Sequence, residues 1–337
     1  MRSLLIGGNP GRWNHADPAA PYRTGNGIEA WAYALQGDYW GPDAPTQEVI
    51  ARYDLVVANL NPWLIPPFVP LAEARAQTTR WVSLIEGSGE DYLDPTPSLR
   101  RLLDASDLVA VLNARTTGYF RALTRAPVAW VGLPYPAEAI GAFATPWEAR
   151  REEVLVCPRV YRGPSFAVAE ALGLPVRAYF QKVSRKVKNL PTFLHHGYYQ
   201  PDLNAHLWRQ EKPDAPRIAC LEREMEDFWR EAGGCRLWAN LDPRTTWARY
   251  VLDAAALEVP IIATENTDHA PNLFPETTVR DAYCVEEAIL LGKRLLGEPE
   301  FARRVAREAH ARLKRYTPQA CLRRLSDALN LSLETIP

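Results

Sequence analysis

Residues 236–275 read RLWANLDPRTTWARYVLDAAALEVPIIATENTDHAPNLFP, and the order of patterns inside them decides the fold. RLWAN is a short apolar run that ends at a turn-like LDP. TTWARYVLDAAAL then sets Trp247, Tyr250, Val251, Ala254 and Leu257 at helical spacing. VPIIAT is a β-branched run of the kind that a parallel sheet buries on both faces. A strand–helix–strand unit of this length aims the helix N-terminus and both strand C-termini at one edge, where anionic nucleotide ligands bind. The polar residues of the stretch collect at that edge: Asn240, Asp242, Arg244, Thr245 and Thr246, then Thr264, Glu265 and Asn266.

The rest of the chain repeats this grammar. Strands are expected at 3–6, in YDLVVANL, RWVSLIEG, SDLVAVLN and PVAWVGL, and again in EEVLVCP and LPVRAYF. Helical patterns fall between them, including NGIEAWAYALQ, PSLRRLLDA and TTGYFRALT. The residues from Asn61 through Pro70 read as a proline-rich loop. A tail from Val285 to Asn330 reads as helical, broken at Pro299 and Pro318. Alternating strand and helix predicts an α/β protein of two parallel-sheet domains, and 337 residues suffice for two cores. The Pro134-Tyr135-Pro136 linker divides them, giving domains over 1–134 and 135–316 and a terminal helix over 317–337.

Composition narrows the function classes. Apolar residues at 47% and charged ones at 23% describe a globular protein, and a net charge of −1 with no long basic run gives no footprint for nucleic acid. MRSLLIGGNPG is too short in its apolar run for a signal peptide, and nothing approaches the roughly 20 apolar residues of a membrane span. A cytoplasmic location is therefore expected, with peripheral membrane contact left open. The five cysteines (Cys157, Cys220, Cys235, Cys284, Cys321) are scattered and form no C-x-x-C, so they read as reduced rather than as a disulfide frame or zinc site. No ligand spacing such as H-E-x-x-H occurs, and His195 and His196, being adjacent, would point to opposite faces of a strand; no metal site is expected. The Gly7-Gly8-Asn9-Pro10-Gly11 loop lacks the dinucleotide G-x-G-x-x-G spacing.

LDAAALEVPIIAT resembles the donor-binding half of GT-B glycosyltransferases, above all the large retaining group that uses nucleotide sugars. Their helix carries a glutamate, seven residues and a second glutamate, followed by an Ala-rich turn and a "gvPvIat" strand. Asp253 stands where the second glutamate would be, and Thr245 where the first would be. CPRVYRG resembles the "vGR…KG" opening of the donor domain, Gly25-Asn26-Gly27-Ile28-Glu29 the G-G-x-E turn of the acceptor domain, and Glu86-Gly87 takes the place of a strand-end His-Gly. The Gly25–Glu29 segment is equally an ordinary helix start with an early acid.

The resemblance implies a GT-B fold: two Rossmann-like domains facing a cleft, with the last helix crossing back to brace the first. It implies a hexosyltransferase-type enzyme moving a sugar from a nucleoside diphosphate sugar, UDP- or GDP-linked among the choices, to a sugar, lipid-linked or other small acceptor. Retention of configuration is implied by the resemblance only. Arg159 and Arg162, perched before a helix, would stabilise the leaving diphosphate in place of a metal, with Lys186 of the basic segment QKVSRKVKNL as a further phosphate contact or else a solvated turn. Asp253 would take the ribose hydroxyls. Thr245 and Thr246 would donate to phosphate from the helix start, with Asn240 and Glu265 beside them. Glu86 would bind sugar hydroxyls or assist the acceptor, or is simply a solvated strand-end acid. No cofactor beyond the nucleotide-sugar co-substrate is expected. A nucleotide-sugar 2-epimerase of the same fold, or a two-domain small-molecule binding protein, are the alternatives.

Overall fold

A computed structural model describes residues 1–8, 16–24, 27–41, 43–60, 64–87, 89–157, 163–178, 219–220 and 225–331. They form two compact units: residues 1–139 with 244–247 and 313–337, and residues 140–243 with 248–312.

The first unit is built on a six-stranded sheet in the order β2-β1-β3-β4-β5-β6. Its strands are β1 (Ser3–Ile6), β2 (Asp38–Trp40), β3 (Leu55–Leu60), β4 (Arg80–Ile85), β5 (Leu108–Val111) and β6 (Val128–Trp130). Every neighbouring pair is parallel. All six residues of β3 are buried, as a central strand covered by helices on both faces requires. The core joins Ile6, Val56, Phe68, Trp81, Leu102 and Phe120, with Phe68 and Trp81 packed edge to face at 6.1 Å.

The proline-rich segment corrects the sequence reading: Ile65–Glu73 is a helix, not a loop. Pro66 and Pro67 fall in its first turn, where the missing N–H groups would be unbonded anyway, so only Pro70 removes a helical hydrogen bond. Burial of Phe68, Val69 and Ala72 offsets that loss. β2 was not foreseen, because GDYW is short and half exposed at a sheet edge and shows no apolar pattern. The helix Pro318–Leu329 packs on the helix Ala30–Leu35 within this unit. Its Arg324 lies over the Trp130 ring at 4.4 Å and donates from Nε to the Val131 carbonyl at 3.0 Å.

The second unit carries a six-stranded sheet of its own, in the order β12-β11-β10-β7-β8-β9. Its strands are β7 (Arg151–Val156), β8 (Val176–Ala178), β9 (Ala219–Cys220), β10 (Cys235–Asn240), β11 (Ile261–Thr264) and β12 (Thr278–Val279), again all parallel. Helices Gly163–Ala171, Arg249–Ala256 and Val285–Gly297 cover it, and Pro299–Arg312, parted from Val285–Gly297 at Pro299, packs on the last two. The described cysteines Cys157, Cys235, Cys284 and Cys321 are free thiols, and burial pushes those of Cys235 and Cys321 up to about 12.

Asp107 ties the starts of β4 and β5 together. Its carboxylate takes the Trp81 N–H at 2.8 Å, Arg75 at 2.9 Å and Arg80 at 3.0 Å. Burial alone would raise its pKa, but the Trp81 N–H and the two guanidiniums outweigh burial and hold it below the usual carboxylate range. A carboxylate with a depressed folded pKa stabilises fully above its unfolded pKa and loses that contribution as pH falls through the folded value. Denaturant unfolding of wild type and Asp107→Asn between pH 7 and pH 2 checks this. The wild-type advantage should shrink once pH drops below about 4, and a pH-independent difference between the two would refute it.

Candidate functional site

The C-terminal edge of the first sheet gathers polar side chains that are buried yet bonded to one another. Glu86 follows β4 and is almost fully buried; its carboxylate accepts a short hydrogen bond from Nδ2 of Asn59, at the end of β3. The Tyr92 hydroxyl is shared between the carbonyls of Leu60 and Glu86, at 2.6 Å each, and so fastens the ends of β3 and β4. Burial first, and then the nearby carboxylates of Glu86 and Asp91, push the Tyr92 phenol well above its ordinary pKa, so it stays a donor at any working pH. Asn113, just past β5, accepts the Arg115 N–H at 2.9 Å and donates to the Thr246 carbonyl at 3.0 Å. Glu29, preceding the helix Ala30–Leu35, is buried, with the Tyr39 hydroxyl 3.5 Å from its carboxylate. Gly27, two residues earlier, holds φ +90, and a Cβ there would sit 2.2 Å from the Tyr22 ring, so only glycine fits.

Thr245 and Thr246 do not stand at a helix start, which corrects the sequence reading. The helix begins at Arg249, after Ala248 in the left-handed region at φ +49. The Thr245 N–H points to the Glu90 carboxylate at 2.9 and 3.1 Å, and its carbonyl accepts the Gly89 N–H at 2.7 Å. Residues 244–247 thus lie on the strand-end loops of the first unit, drawn there by a carboxylate and by Asn113 rather than by helical bonds.

The second sheet presents its own C-terminal edge. Asn240 ends β10 and is buried, as is Asp242. The Leu241 N–H is taken by Oγ of Ser165 at 2.9 Å, in the first turn of the helix Gly163–Ala171, so that helix start is pinned to the end of β10. Thr264, ending β11, donates to the Asp242 carbonyl at 2.6 Å, and Asn266 donates to the Pro243 carbonyl at 3.0 Å. Glu265 is partly exposed beside them, its N–H bonded to Val279 at 2.9 Å. Asn240, Asp242, Thr264 and Glu265 therefore share one edge with an N-terminal helix turn, the arrangement that favours an anion.

Asp253 is fully buried in the middle of the helix Arg249–Ala256, and its carboxylate lies 3.2 Å from Nε of Arg249 one turn before it. That guanidinium also lies 5.7 Å from the centre of the Trp229 ring. The acid has no open face of its own. Sequence reasoning missed Arg249, although its i,i+4 spacing from Asp253 was the available signal. It also passed over Asn59, Tyr92 and Asn113, whose roles rest on contacts distant in sequence. Arg159, Arg162 and Lys186 lie outside the described residues, as do His195 and His196. Among the described residues, no group of three or more His, Cys, Asp or Glu is placed to hold a metal ion, and no helix is long and apolar enough to cross a membrane.

Comparison with known proteins adds the fold's relatives. No family profile matches the chain, and no curated protein sequence matches it. Solved structures do. A UDP-forming α,α-trehalose-phosphate synthase from Burkholderia xenovorans superposes with a TM-score of 0.67 at 11% identity, over 86% of this chain and 76% of that one. A trehalose-6-phosphate synthase, studied for glycosyl transfer with retention, gives 0.67 at 11% identity over 98% and 94%. A sucrose-phosphate synthase from Thermosynechococcus elongatus gives 0.65 at 14% identity over 98% and 98%. The chain has the two-sheet α/β fold of these GT-B glycosyltransferases.

The hydroxyl of Tyr92 is the lock of the first edge, so its removal reads the strength of that lock. Tyr92→Phe should lower unfolding stability by about 1–3 kcal/mol, the usual cost of leaving buried acceptors unsatisfied. Urea titration measures it, and a midpoint equal to wild type would show that the two carbonyls do not depend on the phenol.

Proposed function

We propose that this protein is a glycosyltransferase that moves a sugar from a nucleoside diphosphate sugar to a small hydroxyl-bearing acceptor. The observation that carries the reading is likeness in fold over 98% of the chain to sugar-phosphate synthases, one of them at 98% of its own length. A second support is local: the edge where such ligands bind in parallel sheets holds Asn240, Asp242, Thr264 and Glu265 beside the start of the helix Gly163–Ala171.

In this reading the second unit holds the donor. The first turn of the helix Gly163–Ala171 faces the diphosphate with the positive end of its dipole, and Arg159 and Arg162, a few residues before it, neutralise the charge that develops on the leaving diphosphate. They do the work that a divalent cation does in other transferases, so turnover is independent of added metal. Lys186 is a further contact to the phosphates. Asp253 reaches the ribose only if Arg249 releases it; otherwise the pair sets the shape of the pocket wall and Arg249 meets the nucleotide. Thr245 and Thr246, held by Glu90 and Asn113, line the first unit rather than the phosphate site. Glu86, oriented by Asn59, accepts hydrogen bonds from sugar hydroxyls; a carboxylate already fixed by an amide loses little entropy when it binds. Retention of anomeric configuration is proposed on the Ala-rich helix and strand pattern and on the likeness to a synthase studied for transfer with retention.

Two measurements test this. In a thermal-shift screen of UDP, GDP, dTDP, ADP and CMP with EDTA present, one nucleoside diphosphate at about 100 times its dissociation constant should stabilise the protein by roughly 2.7 kcal/mol. The Arg159→Ala/Arg162→Ala double variant should lose most of that shift. Glu86→Gln should keep it while transfer falls at least about tenfold, the order expected when a charged hydrogen bond is lost. If no nucleotide shifts the wild type, the donor-site reading fails.

A further inference from the structure

The second unit has a cavity of about 330 Å³ that none of the donor-edge residues line. It sits at the opposite end of the sheet: Arg150 immediately precedes β7, and Glu258 lies just before β11, whereas Asn240, Asp242 and Thr264 are at the strand C-termini. Its walls come from the loop Ala144–Arg150, from Glu258 and from one face of the helix Pro299–Arg312.

The charge in this cavity is uneven. Three guanidiniums line it, of Arg150, Arg303 and Arg307, against the carboxylates of Glu148 and Glu258. Arg150 is buried and bonded only to carbonyls: Nε to Thr145 at 2.9 Å, Nη1 to Glu258 at 2.9 Å and Nη2 to Leu257 at 3.2 Å. Burial brings its pKa down to about 10, which leaves it charged at neutral pH. Arg303 reaches Glu148 at 2.8 Å and also Glu300, but its Nε is buried and has no hydrogen-bond partner among the described residues. Arg307 is exposed and makes no ion pair among the described residues. Glu258 holds φ +53, a backbone conformation that glycine usually takes after a helix.

The indole of Trp147 supplies a flat wall, with the Arg150 guanidinium 5.5 Å and the Arg236 guanidinium 4.6 Å from its ring centre. A volume at the lower end of small-molecule sites, an aromatic wall and a guanidinium with no ion pair among the described residues together fit a small ligand. We infer that this cavity is a second site, separate from the donor edge, for a small organic oxyanion: a phosphate or carboxylate head held by Arg303 and Arg307, with its body against Trp147. Two forked guanidiniums on adjacent turns of one helix match the planar or tetrahedral oxygens of such a head. A ligand there would act at a distance from the donor edge, as an effector rather than a substrate.

Inorganic phosphate and citrate are the probes, each titrated by calorimetry into the whole protein against sodium chloride of equal ionic strength. The titrations are repeated on the Arg159→Ala/Arg162→Ala double variant so that a phosphate-binding donor edge does not contribute. Wild type should show one saturable site for at least one probe, and which probe binds separates a phosphate head from a carboxylate head. Arg307→Ala, which removes no hydrogen bond or ion pair among the described residues, should weaken that binding about tenfold or more, and Arg303→Ala likewise. Lys293→Ala, on the neighbouring helix Val285–Gly297 and outside the cavity, should leave it unchanged. No saturable binding beyond the chloride control overturns the inference, and so does binding that Arg307→Ala and Arg303→Ala leave intact. The measurement does not use sugar transfer, so its failure leaves the proposed activity untouched.

Discussion

In a sheet whose strands all run the same way, every chain segment leaves by the same edge, and there the backbone ladder stops. Carbonyls and N–H groups at that edge have no lateral strand to meet, yet the crossover loops half bury them, so side chains must complete their bonding. Both sheets of this protein obey that constraint. In the first, Tyr92 serves the carbonyls of Leu60 and Glu86. In the second, Ser165 takes the N–H of Leu241, and Thr264 serves the carbonyl of Asp242. The polar residues required to finish each sheet are thereby concentrated where a ligand meets strand ends and helix starts.

The same constraint explains why charged groups near these edges are bonded before any ligand arrives. A carboxylate taken out of water costs several kcal/mol unless hydrogen bonds or an opposite charge replace its hydration. Glu86 has Asn59, and Asp253 has Arg249. Such bonds hold a side chain in a defined rotamer, which suits a binding group, but they also mean that a ligand must join or displace a standing partner. For Glu86 joining is enough, since a carboxylate has several acceptor positions. Asp253 is fully enclosed, so a ligand could reach it only by displacing Arg249.

Identity of 11–14% with structures that match over nearly the whole chain is a physical result as well as a comparison. A parallel strand asks for β-branched and other apolar residues with little regard to which, and cores tolerate wholesale exchange when volume and pattern are kept. Strand-end residues face no such averaging. Glu86, just past the end of β4, is matched to its own partner Asn59, and Asp253, inside its helix, to Arg249.

How much of this was legible beforehand follows from the range of each interaction. Periodicity is local, so the strands in YDLVVANL, RWVSLIEG and VPIIAT, the helices on either side of Pro299, and the two parallel sheets were all readable from composition and spacing. The helix at Ile65–Glu73 was hidden because proline is judged by its average effect, whereas here two of three prolines fall where an N–H is not needed. The sequence by itself determined the class of fold, the strand ends at which polar residues gather, and the absence of a long apolar span. Only the tertiary structure decided which polar residue serves which. Thr245 left its helix for Glu90, Asn59 met Glu86 across 27 residues, and Arg303 and Arg307 came together with Arg150 across more than 150. Those pairings depend on loop closure and on the packing of whole helices, and neither leaves a periodic trace in the order of amino acids.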